Sequence, residues 1–135
     1  GFGLPFEVVV SGGLTEFSGR LDRPMNAIWS VVLDHRIAGS IAVDGEDMGN
    51  GLAHLRWFIV DHAARGTGAG KKLLRAALDF VDARGFEACH LWTFSGLLVA
   101  RHLYETHGFA LAEERHGSQW GSEVLEQRFV RSKPL

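Results

Sequence analysis

The alternation of apolar and polar positions divides the chain into short segments. Ala27 to Leu33 and Ile37 to Val43 are apolar, β-branched runs joined by Asp34-His35-Arg36, and two such runs with so short a polar link read as a hairpin. Gly45 to Gly51 is a polar, glycine-rich loop carrying Glu46 and Asp47. Leu52 to Val60 reads as a third strand, apolar enough toward its end to be buried on both faces. After Asp61 the period lengthens to that of a helix. Leu74, Ala77, Leu78 and Val81 fall at i, i+3, i+4 and i+7, while Lys71, Lys72, Arg75, Asp79 and Asp82 lie mostly off that stripe. Gly85 stands just past the last periodic residue, where a glycine stops a helix. Ala88 to Thr93 reads as a strand and Leu97 to Thr106 as a second helix with Gly108 beyond it. Phe109 to Glu113 and Val124 to Arg131 read as two final strands, with Gly117 to Gly121 between them. Residues 1–24 have no such clear period: a helix opening at Pro5 is opposed by Val8-Val9-Val10 and by Gly12-Gly13. The order strand, strand, strand, helix, strand, helix, strand, strand predicts an α/β (α+β) sheet of mixed direction. Hairpins make antiparallel neighbours, and helical crossovers make parallel ones.

Composition narrows the function classes. A chain of 135 residues fits a single domain, 1–135. Sixteen acids against 14 bases leave no basic footprint for nucleic acid. The lone Cys89 excludes an intramolecular disulfide and reads as a small core residue, and the seven histidines lack zinc-site spacing, so no metal is expected. No apolar run approaches the ~18 residues of a membrane span, and no signal-peptide pattern opens the chain, so the expectation is a cytoplasmic protein. A start at Gly1 rather than methionine reads as a processed or excised piece of something longer.

The most informative stretch is Arg65-Gly66-Thr67-Gly68-Ala69-Gly70-Lys71, between a buried strand and a helix N-terminus. Backbone N–H groups and the helix dipole suit an anion there, and glycines let the backbone approach a phosphate closely. A Walker loop fails twice, because Arg65 stands where its first glycine belongs and Lys72 where its Ser or Thr belongs. A dinucleotide fingerprint fails at Lys71 or Leu73, depending on where it is started. What survives is Arg65-x-x-Gly68-x-Gly70, which standing alone is equally a plain helix cap.

With its context this motif resembles the diphosphate loop of the GNAT acyltransferases. It follows the strand Phe58-Ile59-Val60, and Leu103-Tyr104-Glu105-x-x-Gly108-Phe109 comes later in the chain. The likeness runs from about Asn26 to Phe129. Leu91-Trp92-Thr93 and the segment from His116 to Gly121 resemble more closely the acetyltransferase half of bacterial MarR-type regulator fusions. The resemblance implies a mixed central sheet with helices on both faces and a shortened or absent first strand and helix. It implies acetyl-CoA as co-substrate and a small-molecule or peptide amine as acceptor. A homodimer and a fused upstream winged-helix regulator are the protein partners it leaves open. An acetyl-CoA-binding sensory module with little turnover is the alternative reading.

The resemblance also distributes roles. The N–H groups of residues 66–71 (Gly66, Thr67, Gly68, Ala69, Gly70 and Lys71) would bind the pyrophosphate, with Arg65 and Lys71 as added charges. Within the cofactor-binding segment Phe58, Ile59 and Val60, the backbones of Phe58 and Val60 would hydrogen-bond the pantetheine arm, a ladder-type pairing that leaves side-chain identity loose. Tyr104, the single tyrosine, would serve as general acid toward the departing thiolate. Many relatives carry a glutamate early in the strand before the loop; here the segment reads Ala53-His54-Leu55-Arg56-Trp57. His54 is therefore the candidate base, because an imidazole titrates near neutrality, with Glu46 and Asp47 as alternatives. Leu97 replaces an asparagine of many relatives, and Thr93 or Ser95 would substitute for it, with Arg101 reaching toward phosphate. Trp57 and Trp120 read as core or as lining of an acceptor pocket.

Overall fold

The computed structural model describes residues 19–49, 51–61, 66–94, 98–117 and 124–133. Its elements follow the expected order: β1 (Asn26–Leu33), β2 (Arg36–Asp44), β3 (Leu52–Val60), α1 (Ala69–Arg84), β4 (Ala88–Phe94), α2 (Leu98–Thr106), β5 (Ala110–Gly117) and β6 (Val124–Ser132). One sheet runs β1-β2-β3-β4-β6-β5. All neighbours are antiparallel except β3 and β4, the pair joined by the α1 crossover. The hairpin turn is one residue tighter than the sequence suggests. Arg36 pairs with Leu33, leaving Asp34 and His35 as the turn, both at positive φ (49° and 63°). That backbone matches the twist of the flanking strands, and Asp and His are among the few side chains that tolerate it.

The apolar stripe of α1 packs as its spacing requires. Leu73, Leu74, Ala77, Leu78 and Val81 are buried against Ile41 and Val43 of β2 and Ala53 and Leu55 of β3. Gly85 ends the helix in a left-handed conformation, as the sequence suggests. The same cluster continues through Cys89 and Leu91 of β4, Phe129 of β6, Tyr104 of α2 and Phe109, which lies between α2 and β5. Burying each large aliphatic side chain contributes about 1.5–3 kcal/mol, so this continuous cluster dominates the fold. Both described helices feed it. Helices on both faces would need an element within residues 1–18, which lie outside the description, as does the shortened first strand and helix. No described helix is long and apolar enough to cross a membrane.

A break in the β2–β3 register shapes the centre of the sheet. Ser40 pairs with Ile59 but Ala42 with Arg56, so Trp57 and Phe58 together oppose Ile41. The extra residue is a β-bulge, and Trp57 sits in it at φ 50°. The bulge inverts which side chains face the helices. Ala53 and Leu55 face the core before it, Phe58 and Val60 after it, where strict alternation would have turned Trp57 and Ile59 inward. At the bulge the Ser40 hydroxyl donates to the Trp57 carbonyl at 3.1 Å, and the Arg56 guanidinium stacks on the Trp57 ring at 4.0 Å.

A bulge bends its strand and increases twist, and here β3 leaves β4. The two pair only at Leu52–Ala88, Ala53–Cys89 and His54–His90, while β4 stays paired with β6 from Ala88 to Phe94. Beyond His54 the sheet is split by a wedge-shaped cleft.

Candidate active site

The β3 wall of the cleft is an unpaired strand edge. The Asp61 N–H donates to the Ala38 carbonyl at 2.7 Å, on the β2 side. Successive strand residues present their backbone groups to alternate sides, so those of Ile59 also face β2 and those of Phe58 and Val60 face the cleft. The sequence expectation gives the pantetheine hydrogen bonds to the backbones of Phe58 and Val60, the two residues that the alternation turns away from β2.

The glycine loop follows at the open end of this edge. Gly66 and Gly68 take φ of 81° and 83°, and Gly68 is the N-cap of α1. Among the described residues no atom beyond the chain neighbours lies within 4 Å of where a Cβ would stand on either one. Their need for glycine is therefore the left-handed backbone itself, with open space above it. The Lys72 N–H donates to the Gly68 carbonyl at 3.0 Å and the Ala69 N–H to Thr67 Oγ1 at 3.3 Å. First-turn donors such as Gly70 and Lys71 N–H have no intrahelical acceptor, and no acidic side chain stands in that turn. Lys71 is exposed and Ala69 buried. Gly70 differs from the other glycines: a Cβ there would touch Val60, Phe58 and Leu103 at 3.6–3.8 Å, so it brings α1 close over β3 and α2.

Tyr104 spans the split from the helix side. Its ring lies 6.1 Å from that of Phe58 on β3 and 6.0 Å from those of Phe129 on β6 and Phe109. The residue is 7% exposed, and burial pushes its phenol up to about 12. Among the described residues no buried side-chain N or O lacks a partner and none of them partners this hydroxyl, so the oxygen is not sealed from solvent. A buried ring with a hydroxyl that is not tied to the protein leaves that hydroxyl able to donate elsewhere. Arg101, one turn earlier, sits 3.5 Å from Glu105 and stacks on Phe129 at 5.6 Å. Thr93 pairs with Gln127 on the β4 side, beyond the last β3–β4 pair. Arg65, Ser95 and Trp120 lie outside the described residues.

His54 stands at the apex, the last β3 residue paired with β4, on the face away from α1. Its Nδ1 is 2.7 Å from Asp47 Oδ2, so two residues that the sequence offered as alternatives are hydrogen-bonded partners. Asp47 also lies 3.5 Å from Arg56. The loop is fixed by Asp44, which is fully buried. Its carboxylate accepts from Arg20 through both oxygens (2.9 and 2.6 Å), from Arg56 at 3.1 Å, and from the N–H groups of Glu46 and Asp47 at 3.0 and 3.1 Å. Burial alone would raise the Asp44 carboxyl, but the Arg20 hydrogen bonds and the two N–H donors outweigh it and hold it well below the usual carboxylate range. The sequence reading missed Asp44 and Arg20. The available signal was Asp-Gly-Glu-Asp at a strand end, a turn in which the first carboxylate caps following N–H groups; the reach back to Arg20 has no local signal.

On the same face His90 accepts from the Arg128 guanidinium through Nδ1 at 3.0 Å. Burial, then Arg128 and His54, lower its tendency to protonate. Cys89, beside it and facing the core, is pushed up to about 12 by burial, as expected of an inert core thiol. Among the described residues no three His, Cys, Asp or Glu side chains are grouped to hold a metal ion.

Comparison with known proteins matches residues 6–109 to the model of the acetyltransferase (GNAT) family. An N-acetylaspartate synthetase from Xenopus tropicalis is 32% identical over 89 residues, 66% of this chain; the chain spans about a third (32%) of that protein's length. Among solved structures, a ribosomal-protein-alanine N-acetyltransferase from Brucella melitensis shares the fold with a TM-score of 0.76 at 14% identity, over 90% of this chain and 77% of that one. A Bacillus anthracis protein solved in complex with acetyl coenzyme A superposes with a TM-score of 0.73 at 20% identity, over 87% and 68%.

Proposed function

Because the chain belongs to the acetyltransferase (GNAT) family, we propose that it moves the acetyl group of acetyl-CoA to a primary amine by direct attack in a ternary complex in the cytoplasm. The observation that carries this reading is the parting of β3 from β4 beneath the Gly66–Gly68 turn. A strand edge with free donors and acceptors suits the amide-bearing arm of coenzyme A. The N–H groups of residues 66–71 at the start of α1 suit its diphosphate, with Arg65 and Lys71 adding charge. Phe58 and Val60 hydrogen-bond the arm through their backbones, and Ile59 supports them from the β2 side. Thr93 stands on the β4 side of the cleft, and the proposal gives Ser95 a share in contacting the arm. Arg101 joins the phosphate contacts only by leaving Glu105.

The chemistry places demands on two sides of one carbon. The amine nitrogen bonds to the thioester carbonyl carbon and sheds a proton as the carbon–sulfur bond breaks and the thiolate leaves. Tyr104, on the helix side of the sheet, donates toward the sulfur; its raised value favours a hydrogen bond over complete proton transfer. His54, on the other face, takes the amine proton. The likeness to the acetyltransferase half of regulator fusions adds a winged-helix segment to the proposal, read directly from the gene upstream of Gly1.

A thiol-release assay with acetyl-CoA against a panel of small amines, amino acids and peptides tests this, run beside calorimetry with acetyl-CoA. Binding together with amine-dependent release is expected. Binding without release for every amine favours the sensory alternative, and no binding overturns both.

A further inference from the structure

The pairing of His54 with Asp47 goes further than naming a base, and rests on the proposed transfer reaction. An ionised carboxylate only accepts hydrogen bonds. With Asp47 Oδ2 at 2.7 Å, the hydrogen between them must sit on His54 Nδ1, which leaves the lone pair on Nε2. Asp47 is itself held twice. Its backbone N–H is bound by the buried Asp44, and its side chain lies against Arg56. Asp44 in turn is fixed by Arg20 and Arg56, so the chain of contacts runs from a buried ion pair, through a turn, to one imidazole at the apex of the cleft.

We propose that Asp47 is the positioning residue for His54, locking the imidazole in the Nδ1–H tautomer so that Nε2 accepts the proton released by the attacking amine. The proton moves from the amine nitrogen to Nε2, and the resulting imidazolium keeps Asp47 as its counter-charge until solvent takes the proton. The charged and titratable groups around His54 are Asp44, its cross-strand partner on β2, Asp47 from the following loop, Arg56 on its own strand, and His90 on β4 backed by Arg128 of β6, while Glu46 is turned to Arg20 and Arg23. Among them Asp47 is the one in hydrogen-bond contact with the ring. The amine therefore enters from the sheet face opposite Tyr104, and the two proton-handling groups stand on opposite sides of the reacting carbon.

Two measurements test this. Long-range proton–nitrogen spectra of the full chain labelled at histidine nitrogens, with His54 assigned through His54→Gln, read the tautomer without any substrate. The neutral ring should carry its hydrogen on Nδ1, and Asp47→Ala should abolish that preference; a ring protonated on Nε2, or one unchanged in Asp47→Ala, overturns the proposal. Kinetics supply the second arm. Asp47→Ala should lower kcat roughly tenfold to a hundredfold with the acetyl-CoA KM within about threefold, and His54→Gln should lower it roughly 10²–10⁴-fold. The double variant should be no slower than His54→Gln, because Asp47 acts through the ring. A multiplicative fall overturns the proposal. Asp47→Leu, which keeps the side-chain bulk and removes every acceptor, replaces Asp47→Ala if the latter does not fold. A wild-type chain that transfers acetyl to no amine defeats the proposed function alone, since the spectra still decide whether Asp47 sets the tautomer.

Discussion

Replacing Tyr104 with Phe removes one hydroxyl from the cleft and leaves the buried ring in place. The phenol stands near 12 against roughly 8.5 for a free thiol, so complete transfer to a thiolate is uphill by about 5 kcal/mol. The productive role is then a hydrogen bond that strengthens as charge builds on sulfur. A hydrogen bond to a charged group contributes roughly 1.5–3 kcal/mol, which converts to a fall in kcat of about 10- to 150-fold. Stability should stay within about 0.5 kcal/mol of wild type, because no protein hydrogen bond is lost and the contacts with Phe58, Phe109 and Phe129 remain. Tyr104→Ala should instead lose about 3–5 kcal/mol, since it opens a cavity among those rings. Single-turnover thiol release measures the chemical step, and urea denaturation measures the fold. A wild-type single-turnover rate in Tyr104→Phe refutes the assignment, and so does a Phe variant as destabilised as the Ala variant.

Three further outcomes follow from the geometry. Gly68→Val forces a branched side chain into a left-handed backbone, costing about 1–2 kcal/mol of stability and weakening acetyl-CoA roughly tenfold or more; unchanged calorimetry in the folded variant moves the diphosphate elsewhere. Gly70→Ala adds a methyl at ordinary contact distance from Val60, Phe58 and Leu103, so it should gain about 0.5–1 kcal/mol and leave acetyl-CoA affinity within twofold. A marked loss of affinity there would show that the ligand passes on the core side of the loop. Asp44→Asn should cost about 3–5 kcal/mol at pH 7, because Arg20 and Arg56 lose a buried partner. The Asp44 carboxyl is depressed on folding, so its stabilisation is complete above the unfolded value near ~3.9 and fades as pH falls toward the lower folded value. Urea melts of both proteins should therefore converge only below about pH 4; a constant gap down to pH 3 contradicts the assignment.

Much of the fold is legible in the sequence because its signals are local. The stripe from Leu74 to Val81, the glycine after Arg84 and the apolar runs on either side of Asp34-His35 each need only a few neighbouring residues to be read. The loop at 66–70 is legible for the same reason, since its glycines mark the backbone they permit. The bulge is not. Trp57-Phe58-Ile59-Val60 is uniformly apolar, so no change of period marks where alternation slips; the contacts at the slip come from Ser40 and Arg56, one of them on another strand. The Arg20–Asp44 pair is hidden in the same way, because its members are 24 residues apart and Arg20 lies in the stretch with the weakest pattern. Asp47 and His54 were legible singly as competing candidates. Their partnership depends on a turn that only the buried Asp44 fixes.

The cleft-facing amides of Phe58 and Val60 carry a readable isotope signature. With neither bonded to β4, both should trade their hydrogens for deuterium far faster than Leu55 on the same strand, although their side chains sit in the same core. Coenzyme A would lie along that edge as a temporary strand, and the two amides should then slow together while Ile59, already facing β2, barely changes. Bound in this way the co-substrate would complete the sheet, and residues 58 and 60 would record each arrival and departure in their exchange rates.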